Sequence, residues 1–271
     1  MSAEARLPDH LTLFIRTFAF IARTAMRCLT RVRIEGSLDR IPQDGPLIIA
    51  SNHLSNADGV IVGGWLTPRL GRRIHWLGKR EMLDWPIVGP MARAGSVHPV
   101  DRGAADVEAF RLAQRILDEG HVLVVFPEGT RSPTGGLQEA KDGLALLALR
   151  SGAPILPVGV WGTDRFWPRG RFLRPGGRVG MRVGEAFRLA EILPPDLDRK
   201  SAKRLATSEI MTRIAALLPE RHRGAYAAPV DGPADAPTEP PPEPGPAPDG
   251  PVAATPGGSE APSAGPLRRP D

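Results

Sequence analysis

Three short runs, PLIIAS (46–51), HVLVVF (121–126) and PILPVGV (154–160), are apolar along nearly their whole length, and this limits the fold of the chain more than any other feature. A strand with one solvated face alternates polar and apolar side chains, so a run that does not alternate must be covered on both faces. VRIEG, RIHWLG, GSVHPV and the later RVGMRVGEAF read as further strands. DGVIVGGWL, DWPIVGPMARA, AADVEAFRLAQRILDEG and KDGLALLALRSG read as helices between them, and SAKRLATSEIMTRIAALL as a helix near the end. Gly120 and Gly152 stand where two of these helices would close in a left-handed cap. Strands alternating with helices predict an α/β fold, with a largely parallel sheet flanked by helices.

The segment HLTLFIRTFAFIARTAMRCLTRV (10–32) repeats apolar residues at helical spacing: Leu11, Phe14, Ile15, Phe18, Ile21, Ala22, Ala25, Met26, Leu29 and Val32. Arg16, Arg23 and Arg27 are expected on the opposite face, with Leu13 and Phe20 as misfits. Such a cationic amphipathic helix suits a bilayer interface, and the alternative is a helix docked on the domain's own core. The arginines interrupt the stretch, so neither a spanning helix of about 20 apolar residues nor a cleavable signal peptide is expected.

Residues 227–271 contain almost no large apolar side chain and are rich in Pro, Ala and Gly, which predicts a disordered tail. The organisation is therefore an amphipathic helix within 1–30, a main domain over 31–226 and the tail over 227–271. The tail carries a net −5, so residues 1–226 carry +10 of the overall +5. A field of that sign attracts anionic lipid surfaces, phosphorylated molecules and nucleic acid alike. Aromatic residues at 5% and a single tyrosine leave little for base stacking, so no nucleic-acid partner is expected. Cys28 is the only cysteine, which excludes an internal disulfide and any cysteine-based metal cluster and fits a reducing compartment.

Two motifs follow apolar strands directly, where open α/β sheets place their ligands. Ser51-Asn52-His53-Leu54-Ser55-Asn56-Ala57-Asp58 sets an imidazole and a carboxylate five residues apart across a strand-to-helix turn. If the turn folds back, the carboxylate fixes the ring's tautomer and His53 becomes a base. No Gly-x-Ser-x-Gly elbow accompanies it, so the hydroxyl such a base activates would belong to a substrate. Read alone, the pair fits equally a turn histidine and a helix N-cap at Asp58. The second motif, Phe126-Pro127-Glu128-Gly129-Thr130-Arg131-Ser132, places a carboxylate and a guanidinium in one tight loop. Arginine suits bidentate phosphate capture, and a surface turn with a local salt bridge is the other reading.

The ordered pair Asn-His-x-Ser-x-x-Asp and Phe-Pro-Glu-Gly-Thr-Arg-Ser resembles the glycerolipid acyltransferase family, which includes the bacterial 1-acylglycerol-3-phosphate acyltransferases. The likeness extends to Leu77-Gly78-Lys79-Arg80-Glu81-Met82, to Pro99-Val100-Asp101-Arg102-Gly103 and to Ala153-Pro154-Ile155-Leu156-Pro157-Val158, and covers roughly residues 31–190. Gly95 lies seven residues before Arg102, one more than is usual in the family. The resemblance implies His53 as general base and Asp58 as its orienting partner. It implies an acceptor site built from Glu128, Gly129, Thr130 and Arg131, with Lys79 and Arg102 helping to bind a glycerol phosphate. The implied reaction moves an acyl chain from acyl-CoA or an acyl-carrier protein to the hydroxyl of a lyso-phospholipid, with no metal or bound cofactor. Backbone N–H groups in the turn after His53 are the expected oxyanion donors. Glycerol 3-phosphate or another lyso-lipid is the alternative acceptor, and a non-catalytic basic lipid- or nucleic-acid-binding protein is the reading from a different class. The expected location is the cytoplasmic face of the cell membrane, peripheral or monotopic.

Overall fold

The computed structural model describes residues 7–84, 86, 88–100 and 105–227. Arg102 and, apart from Ala227, the tail expected over 227–271 lie outside the described residues. Seven strands, β1 (Arg31–Gly36), β2 (Leu47–Ser51), β3 (Ile74–Lys79), β4 (Val97–Val100), β5 (Val122–Val125), β6 (Ile155–Trp161) and β7 (Arg178–Val183), form one sheet in the order β1-β7-β6-β2-β5-β3-β4. Every neighbouring pair is parallel except β6 with β7. The expected α/β fold with a largely parallel sheet is the one observed.

The continuous apolar runs are explained by what lies on the two faces. Leu47 and Ile49 of β2 and Val122 and Val124 of β5 point to one core, shared with α2 (Ala57–Leu70) and with Met26 of α1 (Leu13–Leu29). Ile48, Ala50 and Leu123 point to the other, beneath α5 (Ala105–Asp118), α6 (Gly143–Ser151) and α9 (Arg199–Ala216). Each residue of β2 is buried, and a fully buried Leu or Ile contributes about 1.5–3 kcal/mol. Gly152 caps α6 at φ 62°. Asp198 caps α9 by accepting from the backbone N–H groups of Lys200 and Ser201, which starts that helix before the expected Ser201.

Of the stretch 84–94, expected as one helix, Val88–Ala94 forms α4, and a separate one-turn helix, α3 (Arg80–Leu83), precedes it. Pro86, with no N–H to donate, stands between them. Two further one-turn helices, α7 (Thr163–Phe166) and α8 (Leu189–Ile192), were not expected.

Helix α1 buries only part of its apolar stripe. Ile15, Ala19, Ala22 and Met26 are buried, and the helix packs on α2. The Arg27 guanidinium lies 5.8 Å from the centre of the Trp65 ring of α2. The exposed half is itself apolar, with Leu13, Phe14, Phe18, Phe20 and Ile21 open to solvent. Docking on the core and an outward apolar surface thus coexist, because only part of the stripe is buried. Among the described residues no helix is long and apolar enough to cross a membrane.

Candidate active site

Because β2, β3, β4 and β5 run parallel, the loops that follow them emerge at one edge of the sheet. The His53 turn follows β2, Lys79 ends β3, and the 126–132 loop follows β5. Chain direction alone therefore gathers these motifs at the carboxyl ends of the strands.

Asn52 fixes the start of the turn. Its side-chain amide donates to the carbonyl of Val160 at 2.8 Å and its Oδ1 accepts from the Val160 N–H at 2.7 Å, which extends the β2–β6 pairing by a side chain. The next residues fold back on Asp58, whose Oδ2 accepts from His53 Nδ1 at 2.8 Å and from the backbone N–H groups of Leu54 at 2.6 Å and Ser55 at 2.8 Å. Its Oδ1 accepts from the hydroxyl of Thr163. Asp58 is fully buried, so each of these donors compensates lost hydration of the carboxylate. A carboxylate only accepts, which places the ring proton on Nδ1 and leaves the lone pair on Nε2.

One reading of the turn needs correction. Asp58 is not an N-cap: Asn56 occupies that position of α2, and Asp58 serves groups that precede the helix. Of the N–H groups in the turn after His53, those of Leu54 and Ser55 point at Asp58 and that of Ala57 at Ser55 Oγ.

The 126–132 loop grips the same turn from the other side. The His53 N–H donates to Glu128 Oε1 at 2.7 Å, and the His53 carbonyl accepts from the Ser132 N–H at 2.8 Å. The Phe126 ring stacks on the imidazole with centroids 4.1 Å apart. Glu128 is only 3% exposed, and its Oε2 accepts from the backbone and side chain of Gln138. Burial pushes its pKa up, while the hydrogen bonds from His53 and Gln138 oppose that shift. Gly129 stands at φ 67°, where a side chain would be strained and would press on Lys141, and with Thr130 it forms the exposed crest of the loop.

Arg131 donates to Asn56 Oδ1 at 3.1 Å, which ties the second loop to the first. Its pKa is lowered by partial burial and by the neighbouring Arg169, with Asp58 acting in the opposite sense. Two guanidiniums that repel each other beside an exposed edge form a site that an anion would relax. Lys79 is exposed at the end of β3, on the same edge.

Sequence reasoning missed Thr163, Gln138, Arg169 and the pairing role of Asn52. It also missed a clasp over the Glu128 loop, formed by residues 219–226. There Leu137 N–H donates to the His222 carbonyl at 2.8 Å, Ala225 N–H to the Leu137 carbonyl at 3.0 Å, and His222 Nδ1 lies 2.6 Å from the Gly135 carbonyl.

The model of a family described as Acyltransferase matches residues 31–161. A protein of Limnanthes alba named 1-acyl-sn-glycerol-3-phosphate acyltransferase is 37% identical over 134 residues, 47% of this chain and 46% of its own length. A Rhizobium meliloti protein named lyso-ornithine lipid O-acyltransferase is 27% identical over 226 residues, 74% of each chain. The solved structure of the 1-acyl-sn-glycerophosphate acyltransferase PlsC from Thermotoga maritima superimposes with a TM-score of 0.56 at 25% identity, over 72% of this chain and 78% of that one. The alignment thus spans about half the length of the plant relative and most of the bacterial protein and structure. The stretch that the acyltransferase family model matches, residues 31–161, carries both loops that meet at His53.

Proposed function

We propose that the chain transfers a fatty acyl group from acyl-CoA or an acyl-carrier protein to the free hydroxyl of 1-acylglycerol 3-phosphate, giving phosphatidic acid. The oriented base carries this reading: Asp58 occupies Nδ1 of His53, and among the described residues no serine, threonine or cysteine side chain bonds to the ring. A base without a protein nucleophile acts on a hydroxyl that arrives with the substrate. His53 Nε2 takes that proton as the acceptor oxygen attacks the thioester carbonyl carbon. The tetrahedral intermediate then expels the thiolate, which recovers the proton from the imidazolium. Positioned base catalysis contributes about 10²–10⁴ in rate, with proximity supplying much of the rest. The reaction calls for no cofactor beyond the thioester co-substrate.

Arg131 takes the acceptor phosphate, aided by Lys79 from the same sheet edge and, by family resemblance, Arg102. Gly129 and Thr130 line the approach. Glu128, with both oxygens already engaged, acts on the reaction through the backbone of His53. The exposed apolar half of α1 rests in the interface of an anionic membrane, at its cytoplasmic face, with the protein peripheral or monotopic.

A second reading keeps the chemistry and changes the acceptor to another lyso-lipid. It is favoured by the Rhizobium relative, whose match covers 74% of both chains. The deciding experiment offers the purified protein labelled long-chain acyl-CoA with lysophosphatidic acid, glycerol 3-phosphate or lyso-ornithine lipid. Label is expected in phosphatidic acid; label only in another product selects that acceptor, and label in none defeats the enzyme reading.

A further inference from the structure

Between α7 and β7 the chain reads Trp167-Pro168-Arg169-Gly170-Arg171-Phe172-Leu173-Arg174-Pro175-Gly176-Gly177, followed by Arg178: four arginines and no acidic residue. Residues 169–178 are all exposed. Phe172 is 94% exposed and Leu173 42%. A bare phenylalanine forgoes the stabilisation that burial would give it, and a cluster of like charges around it resists closure onto the domain.

The loop is nonetheless held in place. Arg171 N–H donates to the Pro168 carbonyl at 3.2 Å, forming a turn, and Arg174 N–H donates to the Phe166 carbonyl at 2.8 Å, closing the neck. On one side the Trp167 carbonyl accepts from Ser55 Oγ at 2.8 Å, within the His53 turn. On the other, Gly176 N–H donates to the Leu29 carbonyl at 2.6 Å, and the Gly177 carbonyl accepts from Thr30 Oγ1 and from Arg31 N–H, both at 3.1 Å. The neck thus joins the carboxyl end of α1 to the turn that carries the base, while the tip carries only apolar and cationic side chains.

We propose that residues 167–177 form a second bilayer-docking element, in which Phe172 and Leu173 enter the acyl boundary of an anionic membrane while Arg171 and Arg174 stay among the lipid phosphates. This rests on the reading of the chain as a lipid acyltransferase. The tip has the composition of an interfacial anchor, apolar at its apex and cationic at its shoulders. It is continuous through Leu29 and Thr30 with α1, whose outward half is also apolar. An acidic carrier protein would meet the same charges, but it gives a protruding phenylalanine no deep apolar phase. Two contacts, the loop and the outward half of α1 to which it is tied, would hold the domain against the lipid surface from which the acceptor comes.

The test uses the full chain and vesicles of phosphatidylcholine, alone or mixed with phosphatidylglycerol. Wild type is expected to bind the mixed vesicles more tightly, and less so as salt rises. Phe172→Ser with Leu173→Ser should weaken binding to the mixed vesicles about tenfold or more. Arg171→Gln with Arg174→Gln should remove about fivefold of the anionic preference per arginine. Turnover of a short-chain, water-soluble lysophosphatidic acid should be unchanged in both variants, which also shows that they fold. Wild-type vesicle binding by both variants overturns the proposal. So does unchanged vesicle binding with a raised KM for acyl-carrier protein alone, which would make the loop a protein-docking site. If wild type has no acyl transfer to any acceptor, the enzyme reading fails, while the vesicle measurement still decides the docking role.

Discussion

The backbone N–H of His53 donates to Glu128 Oε1 at 2.7 Å, across 75 residues of sequence. Glu128 in turn accepts from Gln138 through Oε2, so its carboxylate is a two-sided acceptor between backbone donors. Glu128→Gln keeps the shape but supplies one acceptor and one NH₂, and the NH₂ must face an N–H group. An unsatisfied buried donor costs about 1–3 kcal/mol, so the melting temperature should fall. Displacement of the His53 backbone should lower kcat about ten- to a hundredfold. Thermal unfolding and steady-state kinetics check this together, and a variant with wild-type values in both would show that the contact does not position the base.

His53 and Arg131 should fail in different ways. The imidazole matters most while the proton leaves the hydroxyl, so His53→Ala should depress kcat with little change in acceptor KM. A guanidinium on a phosphate acts in ground and transition states alike, so Arg131→Ala should mainly raise acceptor KM, by about ten- to a hundredfold, and leave the thioester KM alone. Arg131→Lys should recover part of this, because the ammonium keeps the charge and loses the fork. Both substrates must be varied on folded protein; a wild-type kcat in His53→Ala ends the mechanism, and an unchanged acceptor KM in Arg131→Ala removes the phosphate role.

The domain edge gives a third expectation. A chain ending at Ala227 keeps the clasp formed by residues 219–226 and should retain full activity. A chain ending at Leu218 loses the hydrogen bonds to Gly135 and Leu137, frees the segment that carries Gln138, and should lose about tenfold or more in kcat. Gly224→Ala is the milder version: Gly224 sits at φ 50°, and an added Cβ would collide with the backbone of Leu137, so about 1–3 kcal/mol should be lost in urea unfolding. Equal activity of the two truncations would leave the clasp without a role at the site.

The strands and both motif loops were legible because their signals are local: uninterrupted apolar runs for a sheet covered on both sides, and a His and an Asp within one turn. What the sequence did not show depends on register between distant segments. Thr163 reaches Asp58 across 105 residues, and Asn52 pairs with Val160 across 108. Neither pairing leaves a periodic trace, since one hydroxyl and one amide suffice once β2 and β6 are adjacent. Helix α1 was half legible for a related reason: helical spacing shows that a residue lies on a stripe, but which part of that stripe meets α2 is decided by α2.

The amino end of the sheet carries a group that should limit stability in acid. His75 is fully buried, with Nδ1 2.9 Å from His98 Nε2 and its ring near those of His98 and His121, centroids 5.2 and 5.0 Å away. Burial first, then the charges of His98, His121 and Arg73, lower its pKa from 6.5 to about 4, against a small opposing effect of Asp9. The unfolded chain takes up this proton near pH 6.5 and the folded chain only near pH 4. Between those values unfolding binds a proton, so stability falls as the pH is lowered through the window and is unaffected by this group above it. The full difference is worth about 3 kcal/mol, and His98, also lowered by burial, adds in the same direction. Urea unfolding at pH 7.5 and at pH 4.5 should show the loss. His75→Gln should remove most of this group's share of it, because the glutamine does not titrate. An unchanged pH slope in that variant would mean that the buried histidine is already protonated in the folded protein, or finds water in which to become so.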